Sequence, residues 1–121
     1  MGLPRQLRLT RKYQFDRVLK ERMVQLRNGP FRIYAAGNIE TVPRLGLIVG
    51  KRHAKRAVDR NRIKRALRES FYQGHHQLGA FDIVVQLIDA VPDTWLQENS
   101  NTLWRSLQAT LERDHNVSTS A

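Results

Sequence analysis

The residues of this sequence that could do chemistry are mainly cations, and they are densest between Lys51 and Arg68. That segment reads KRHAKRAVDRNRIKRALR, and arginine outnumbers lysine in it. A guanidinium has a planar fork that can bond two oxygens of one phosphate, whereas an ammonium acts as a point charge. The chemistry that this segment favours is therefore the binding of a phosphate polyanion.

The same segment predicts an amphipathic helix over residues 57–71. Its apolar residues recur at the spacing of a buried helix face: Ile63, Ala66, Leu67, Ser70 and Phe71. The opposite side carries a polar sector: Asn61, Lys64, Arg65 and Arg68. We expect packing of the apolar side to hold the cations as a rigid row. Asn61 adds an amide that can bond a base edge or a ribose hydroxyl.

Positive charge is concentrated in one part of the chain. The 121 residues carry a net charge of +10. Residues 1–68 hold 19 Lys and Arg against 4 Asp and Glu, whereas residues 69–121 hold 2 against 7. Such a field attracts polyanions. Nucleic acid is the leading partner, because the basic segments lack the broad Trp- and Phe-rich face of a membrane-binding helix.

Composition excludes several other classes of protein. The absence of cysteine excludes disulfides, thiolate zinc sites and cysteine nucleophiles. No apolar run approaches the roughly 20 residues that cross a bilayer, and the basic N-terminus lacks the apolar stretch of a secretory signal. We expect one cytoplasmic domain over residues 1–121, with its core at about 7–113 and a polar tail at 114–121.

Apolar periodicity predicts an α+β sandwich of helices on one sheet, in the order αβββαβα. Thr10 and Asp93 are the expected N-caps of the first and last helices. The predicted strands lie at 23–27, 31–35, 45–49 and 81–88. In the second of these strands, alternation places Tyr34 on the face opposite Phe31 and Ile33.

Two other functions are weighed against the sequence. A metal-dependent nuclease would have to draw on scattered groups that lack ligand spacing: His53, Asp59, Glu69, His75, His76 and Asp82. The spacing therefore gives no support for a metal site. A ribosomal or other basic RNA-binding protein, or a DNA binder that uses the central helix, stays open, although no RNP1 or zinc-finger motif is present.

The central segment also resembles a known family. RNRIKRALRE at 60–69 is similar to the RNRxKRxxRE signature of the protein subunit of bacterial ribonuclease P. Further similar segments are LGLIVGKR at 45–52, the aromatic strand from Phe31 to Tyr34, DIVV at 82–85 and LWR at 103–105. The resemblance covers about residues 7–113. Leu19 and Ile88 depart from the family pattern, which often has an aromatic and a basic residue there.

The resemblance implies a fold and a role. It implies the fold of the second domain of ribosomal protein S5, with a left-handed βαβ crossover where the general rule favours a right-handed one. It implies that the protein binds the catalytic RNA and the 5′ leader of precursor tRNA, with no DNA or membrane partner. The residues implied for the catalytic RNA are Lys51, Arg52, Arg60, Asn61, Arg62 and Arg65. Those implied for the leader are Phe15, Tyr34, Lys64 and Arg68. Mg²⁺ would be held mainly by RNA, and the protein itself would need no catalytic residue, metal or other cofactor.

Overall fold

The computed structural model describes residues 2–120 and the side chains of residues 2–113. The helices are α1 (Lys12–Glu21), α2 (Ala57–Gly74) and α3 (Trp95–Ser120). The strands are β1 (Val24–Asn28), β2 (Phe31–Gly37), β3 (Arg44–Ile48) and β4 (Phe81–Leu87). Short 3₁₀ turns occur at Arg5–Leu7 and His75–Gln77. The predicted α+β class and the order αβββαβα are confirmed.

The strands form one sheet in the order β1-β2-β4-β3. β2 pairs antiparallel with β1 and with β4, whereas β3 runs parallel to β4 and α2 connects the two. The left-handed sense of this crossover stays a prediction. Beyond β3, Arg8 forms a bridge to Leu45, and the Leu9 amide donates to the Leu45 carbonyl at 2.9 Å. The N-terminal segment is thereby fixed along this edge of the sheet.

The turn from β1 to β2 depends on Gly29. Its φ of +58° lies in the left-handed region, which a residue without a Cβ adopts at little cost. Trp95 of α3 packs directly over this glycine, and a Cβ there would lie 2.5 Å from Trp95 Nε1. The turn therefore also sets where α3 begins on the sheet.

One face of the sheet carries the main core, which α2 and α3 cover. Phe31, Ile33 and Val85 have no exposed surface there. The helices contribute Ile63, Leu67, Phe71, Leu103, Trp104 and Leu107 to the same cluster. The Trp104 indole donates to Ser70 Oγ at 2.7 Å, which joins α3 to α2. Complete burial of a side chain such as leucine contributes about 1.5–3 kcal/mol, so this packing fixes how α2 is rotated.

The other face of the sheet is covered in part by α1. Tyr34, Ala36 and Val84 form a second cluster with Val18 of α1. Tyr34 thus faces away from Phe31 and Ile33, as its strand position predicts. The described residues include no helix that is both long enough and apolar enough to span a membrane.

A buried carboxylate fixes α1 to the sheet. Asp82 on β4 has no exposed surface, and Arg44 donates to it through Nε and Nη2, both at 2.8 Å. Arg17 of α1 and Asn38 donate to the same carboxylate at 2.9 and 2.8 Å. Burial raises the pKa of Asp82, but the hydrogen bonds from Arg44, Asn38 and Arg17 outweigh it and hold the pKa below its usual value.

The helix starts differ from the predicted ones. Arg11, not Thr10, precedes α1, and Gln14 Oε1 accepts from the amides of Thr10 and Arg11 at 2.7 and 2.9 Å. The prediction that Asp93 caps the last helix is also wrong, because α3 begins at Trp95. Thr94 directly precedes the helix, and its hydroxyl donates to the Glu98 carboxylate at 2.6 Å. At its other end, the backbone of α3 continues to Ser120, beyond the predicted core.

Candidate nucleic-acid interface

The polar side of α2 is held outward by its buried side. Ile63, Leu67 and Phe71 are 3%, 0% and 0% exposed, which confirms the predicted core face. On the other side, Asn61 and Arg65 are exposed, and Lys64 and Arg68 are partly exposed. Because the helix cannot rotate without exposing its apolar residues, its cations keep fixed directions.

These cations are not neutralised within the part of the chain that the structure describes. The salt bridges there join other residues, and none involves a cation between Arg60 and Arg68. In the first turn of α2 the situation differs, since Arg56 pairs with Asp59 at 2.8 Å. Like charges three or four residues apart on a helix cost about 0.2–0.5 kcal/mol per pair, so a bound polyanion would relieve repulsion here.

Arg60 has a different environment from its neighbours on α2. Its Nη1 donates to the carbonyls of Ala54 and Lys55 at 2.9 and 2.8 Å, and the residue is partly buried. It therefore holds the loop before α2 against the helix. Lys51 and Arg52 are exposed in the turn that follows β3. The predicted RNA contacts of these three residues stay predictions, and Arg60 also has a positioning role that the sequence pattern did not reveal.

A groove of about 680 Å³ lies between α2 and the start of the chain. Gly2, Leu3 and Pro4 form one wall. The α2 wall carries Asn61, Lys64, Arg65, Arg68, Glu69, Tyr72 and Gln73. The structure thus places Lys64 and Arg68, implied for the leader, beside Asn61 and Arg65, implied for the catalytic RNA. We name this feature the α2 groove.

Arg8 is a cation near the α2 groove that lies outside the signature segment at 60–69. Burial and the positive charge of Arg8 lower the pKa of Arg68. Within the described residues, Arg8 Nε is buried without a hydrogen-bond partner. Arg8 and Arg68 repel each other, and Arg8 lacks one hydrogen-bond partner. Both facts favour the binding of an anion between the N-terminal segment and α2. The sequence signal was the basic N-terminus, which alone did not distinguish Arg8 from other arginines.

Phe15 of α1 and Tyr34 of β2 meet the second face of the sheet. Phe15 is partly buried over Gly46, where a Cβ would lie 2.5 Å from Phe15 Cε2. Tyr34 is only 8% exposed, and its hydroxyl donates to Gln86 Oε1 at 3.1 Å. The Arg22 guanidinium lies 5.6 Å from the centre of the Tyr34 ring. The four residues implied for the leader therefore occupy two surfaces, the α2 groove and this face, rather than one.

The second face also contains polar residues that lie outside the sequence motifs. The strand register pairs Gln25 with Tyr34, Arg27 with Arg32, and Arg32 with Gln86, so these side chains share a face. Gln25 and Arg27 are exposed, and Arg32 and Gln86 are partly exposed. Strand alternation could have identified them once the strand order was known. With Phe15 and Tyr34 they form what we name the sheet-face cleft.

The six groups that a metal-dependent nuclease would draw on all lie among the residues whose side chains the structure describes. Among the described residues, no three such side chains are grouped closely enough to hold a metal ion. His75 is instead 8% exposed, and its Nδ1 lies 2.6 Å from the Tyr72 carbonyl.

The fold and these two surfaces define a class: small basic α+β proteins that bind nucleic acid. Residues 3–113 match the family model described as Ribonuclease P. A ribonuclease P protein component from Idiomarina loihiensis is 39% identical over 112 residues, 90% of each chain. The component from Chromohalobacter salexigens is 32% identical over 121 residues, 98% of this chain and 94% of that one. The chain therefore belongs to the ribonuclease P protein family.

Solved structures agree with this membership. The ribonuclease P protein of Staphylococcus aureus matches with a TM-score of 0.63 at 27% identity, over 93% of this chain and 94% of that one. The protein of Thermotoga maritima matches with a TM-score of 0.60 at 26% identity, over 88% and 92% of the two chains. Members of this family work with the ribonuclease P RNA.

Proposed function

We propose that the polar side of α2 binds the catalytic RNA of ribonuclease P, and that the sheet-face cleft receives the 5′ leader of precursor tRNA. In this proposal the protein assists endonucleolytic removal of the leader, which produces the mature 5′ end of tRNA, and broadens the range of substrates. The observation that carries it is the anchored row of cations on α2, which have no carboxylate partner in the described residues.

The arrangement of α2 suits a folded RNA better than a small anion. Its exposed arginines point outward from one rigid helix, so several phosphates can be neutralised together. Each neutralised phosphate releases counterions, which gives an affinity that falls steeply with salt. Lys51 and Arg52, exposed in the turn before α2, supply two further cations for the same RNA. Asn61 supplies the single amide among these cations and suits a base edge or a ribose hydroxyl.

The sheet-face cleft suits a single strand of variable sequence. Leaders differ in sequence, so contacts should depend on ring faces and backbone charge rather than on reading base edges. Phe15 and Tyr34 supply the rings, and Arg27 and Arg32 supply positive charge beside them. Because Tyr34 is largely covered, we propose that the leader meets the exposed edge of its ring and the neighbouring Gln86, to which it is hydrogen-bonded.

We propose that the chemistry belongs to the RNA and that the protein accelerates it by positioning. Mg²⁺ held mainly by the RNA and its substrate would supply the activated water and stabilise the leaving oxygen. The α2 groove does not suit that ion, since its lining contains three cations and one carboxylate. The protein's own residues would bind and orient RNA.

Reconstituted cleavage tests the proposed function. Precursor tRNA is incubated with a bacterial ribonuclease P RNA at near-physiological Mg²⁺, with and without this protein. We expect the protein to increase correct 5′ cleavage. Salt-sensitive RNA binding without such an increase would favour a ribosomal or other basic RNA-binding protein. Specific cleavage by the protein and Mg²⁺ alone would favour a nuclease.

Tyr34→Ala tests the leader cleft. Full stacking on an aromatic side chain contributes about 1–3 kcal/mol per base, and an edge contact contributes less. The reconstituted enzyme should therefore bind leader-containing tRNA modestly more weakly and mature tRNA unchanged. Tyr34→Phe retains the ring and removes only the hydrogen bond to Gln86. Its affinity for leader-containing tRNA should therefore fall less than that of Tyr34→Ala. The measurement is substrate affinity at saturating protein, at a temperature where both variants are folded. Equal losses for the two substrates would contradict the cleft.

A further inference from the structure

Tyr72 continues the polar stripe of α2 by one more turn. Residues 61, 65, 68 and 72 recur at intervals of three or four, and residue 64 lies one turn before 68, so all five share one side of the helix. All of them line the α2 groove. Tyr72 is 51% exposed, whereas its neighbour Phe71 is fully buried. The core therefore does not explain Tyr72, and the ribonuclease P signature at 60–69 ends before it.

The Tyr72 ring is held in place by aromatic neighbours. It stacks on the His75 ring, with centroids 5.4 Å apart and planes 21° apart. His75 also stacks on the buried Phe71, with centroids at 6.2 Å, and its Nδ1 lies 2.6 Å from the Tyr72 carbonyl. The exposed tyrosine thus rests on a layer that belongs to the core. A ring fixed in this way loses little conformational freedom when another ring stacks on it.

Charges on the same stripe identify the chemistry of the ligand. Arg68 lies one turn before Tyr72, about 6 Å along the helix axis, and Lys64 lies one turn further. Glu69 is the single carboxylate of the lining, against Lys64, Arg65 and Arg68. The C-terminal end of a helix carries a negative partial charge. A phosphate therefore belongs over Arg68, and an uncharged planar group belongs over Tyr72.

We propose that Tyr72 is a base-stacking site for one unpaired nucleotide of the ribonuclease P RNA, whose phosphate is bound by Arg68. An aromatic platform beside a line of cations is the arrangement by which proteins bind single-stranded nucleic acid. Neither an acidic peptide nor a second copy of this chain would use the ring and the cations together in this way. This inference rests on the proposed function and extends the RNA contact surface beyond the signature segment.

Tyr72→Ala tests the site, with Tyr13→Ala as the matched control. Tyr13 is 70% exposed and lies on α1, away from the α2 groove. Filter binding to a bacterial ribonuclease P RNA should give an affinity about 5- to 150-fold lower for Tyr72→Ala. Tyr13→Ala should leave the affinity unchanged, and Tyr72→Phe and Tyr72→Trp should restore most of it. Thermal unfolding identifies any variant that fails to fold.

Salt dependence separates stacking from charge. Tyr72→Ala should lower the affinity at every salt concentration and leave the slope of log K against log salt unchanged. Arg68→Ala should reduce that slope by about one. If Tyr72→Ala binds like the unmodified protein while Arg65→Ala binds weakly, the stacking site is overturned and the proposed function stands. If the loss appears only when the preassembled enzyme binds precursor tRNA, the assignment to the ribonuclease P RNA is overturned.

Discussion

Two groups of arginines in this protein have opposite surroundings. Arg17 and Arg44 converge on Asp82, a carboxylate with no exposed surface that also accepts from Asn38. On α2, Arg62 and Arg65 point into solvent, and within the described residues they form no salt bridge. Both groups are basic in the sequence. Only the first group is neutralised by the fold itself.

Clustered positive charge in the sequence therefore does not by itself identify an RNA-binding surface. The arginines around Asp82 join α1, β3 and β4, so their charge is used in folding. The cations of α2 leave the fold with unrelieved repulsion, and burial of Ile63, Leu67 and Phe71 offsets this cost. Removing a charge should therefore affect stability in the first group and RNA affinity in the second.

The largest effect is expected for Asp82→Ala. It leaves two arginines facing each other without their shared carboxylate. Breaking a buried ion pair by removing one partner costs about 3–5 kcal/mol. The Arg17 and Arg44 side chains are 37% and 21% exposed, so water can replace part of the lost interaction. We therefore expect the free energy of unfolding to fall by an amount near the lower end of this range. Urea unfolding measures it.

Arg62→Ala is the matched control for stability, since its side chain is exposed on α2 and the described salt bridges do not include it. It should leave the unfolding midpoint unchanged or raise it. A loss of stability as large as that of Asp82→Ala would contradict the comparison, because it would mean that the α2 cations also support the fold.

Arg65→Ala should produce the next largest effect, on RNA affinity rather than stability. A hydrogen bond to a charged group contributes about 1.5–3 kcal/mol, which corresponds to roughly 10- to 150-fold in Kd. The slope of log K against log salt should fall by about one. Arg105→Ala, which removes an exposed arginine from α3, is the control and should lower RNA affinity less than Arg65→Ala. Equal losses for the two variants would mean that net charge, and not the α2 surface, determines binding.

Acid should weaken the Asp82 group, because it protonates carboxylates and leaves the charge of arginine and lysine unchanged. The pKa of Asp82 is lower in the folded protein than its usual value, so the carboxylate stabilises the fold above about pH 4. This contribution is lost as the pH falls through the folded pKa. Unfolding measured from pH 6 to pH 2 should show the decline, and Asp82→Asn should flatten it. An unchanged decline in Asp82→Asn would exclude Asp82 as its source.

The α2 surface could be predicted from the sequence because its information is local. The spacing of Ile63, Leu67 and Phe71 alone determines which side of the helix is buried, and the cations follow from it. The same is true of Tyr34, whose face follows from alternation along β2. Both features depend on residues within one element.

The Asp82 group could not be predicted in this way. Its partners Arg44, Asn38 and Arg17 are 38, 44 and 65 positions away in the sequence. Only the strand order brings β3 beside β4 and α1 over both, and periodicity does not encode strand order. The hydrogen bond from Arg60 to the Ala54 carbonyl could not be predicted from periodicity either, because it depends on the path of the loop before α2.

The smallest effect is expected for Asp59→Asn, which tests the boundary between the two groups. Arg56 and Asp59 form an exposed pair at the start of α2, and Arg56 lowers the pKa of Asp59 through a hydrogen bond. Such pairs contribute little to stability because water screens them. Removing the carboxylate adds Arg56 to the uncompensated cations of α2, so RNA affinity should rise slightly and its salt dependence should steepen. Asp93→Asn removes one exposed negative charge just before α3 and is the control. A rise of the same size in both variants would assign the effect to net charge, whereas a fall confined to Asp59→Asn would mean that Asp59 positions Arg56 for RNA.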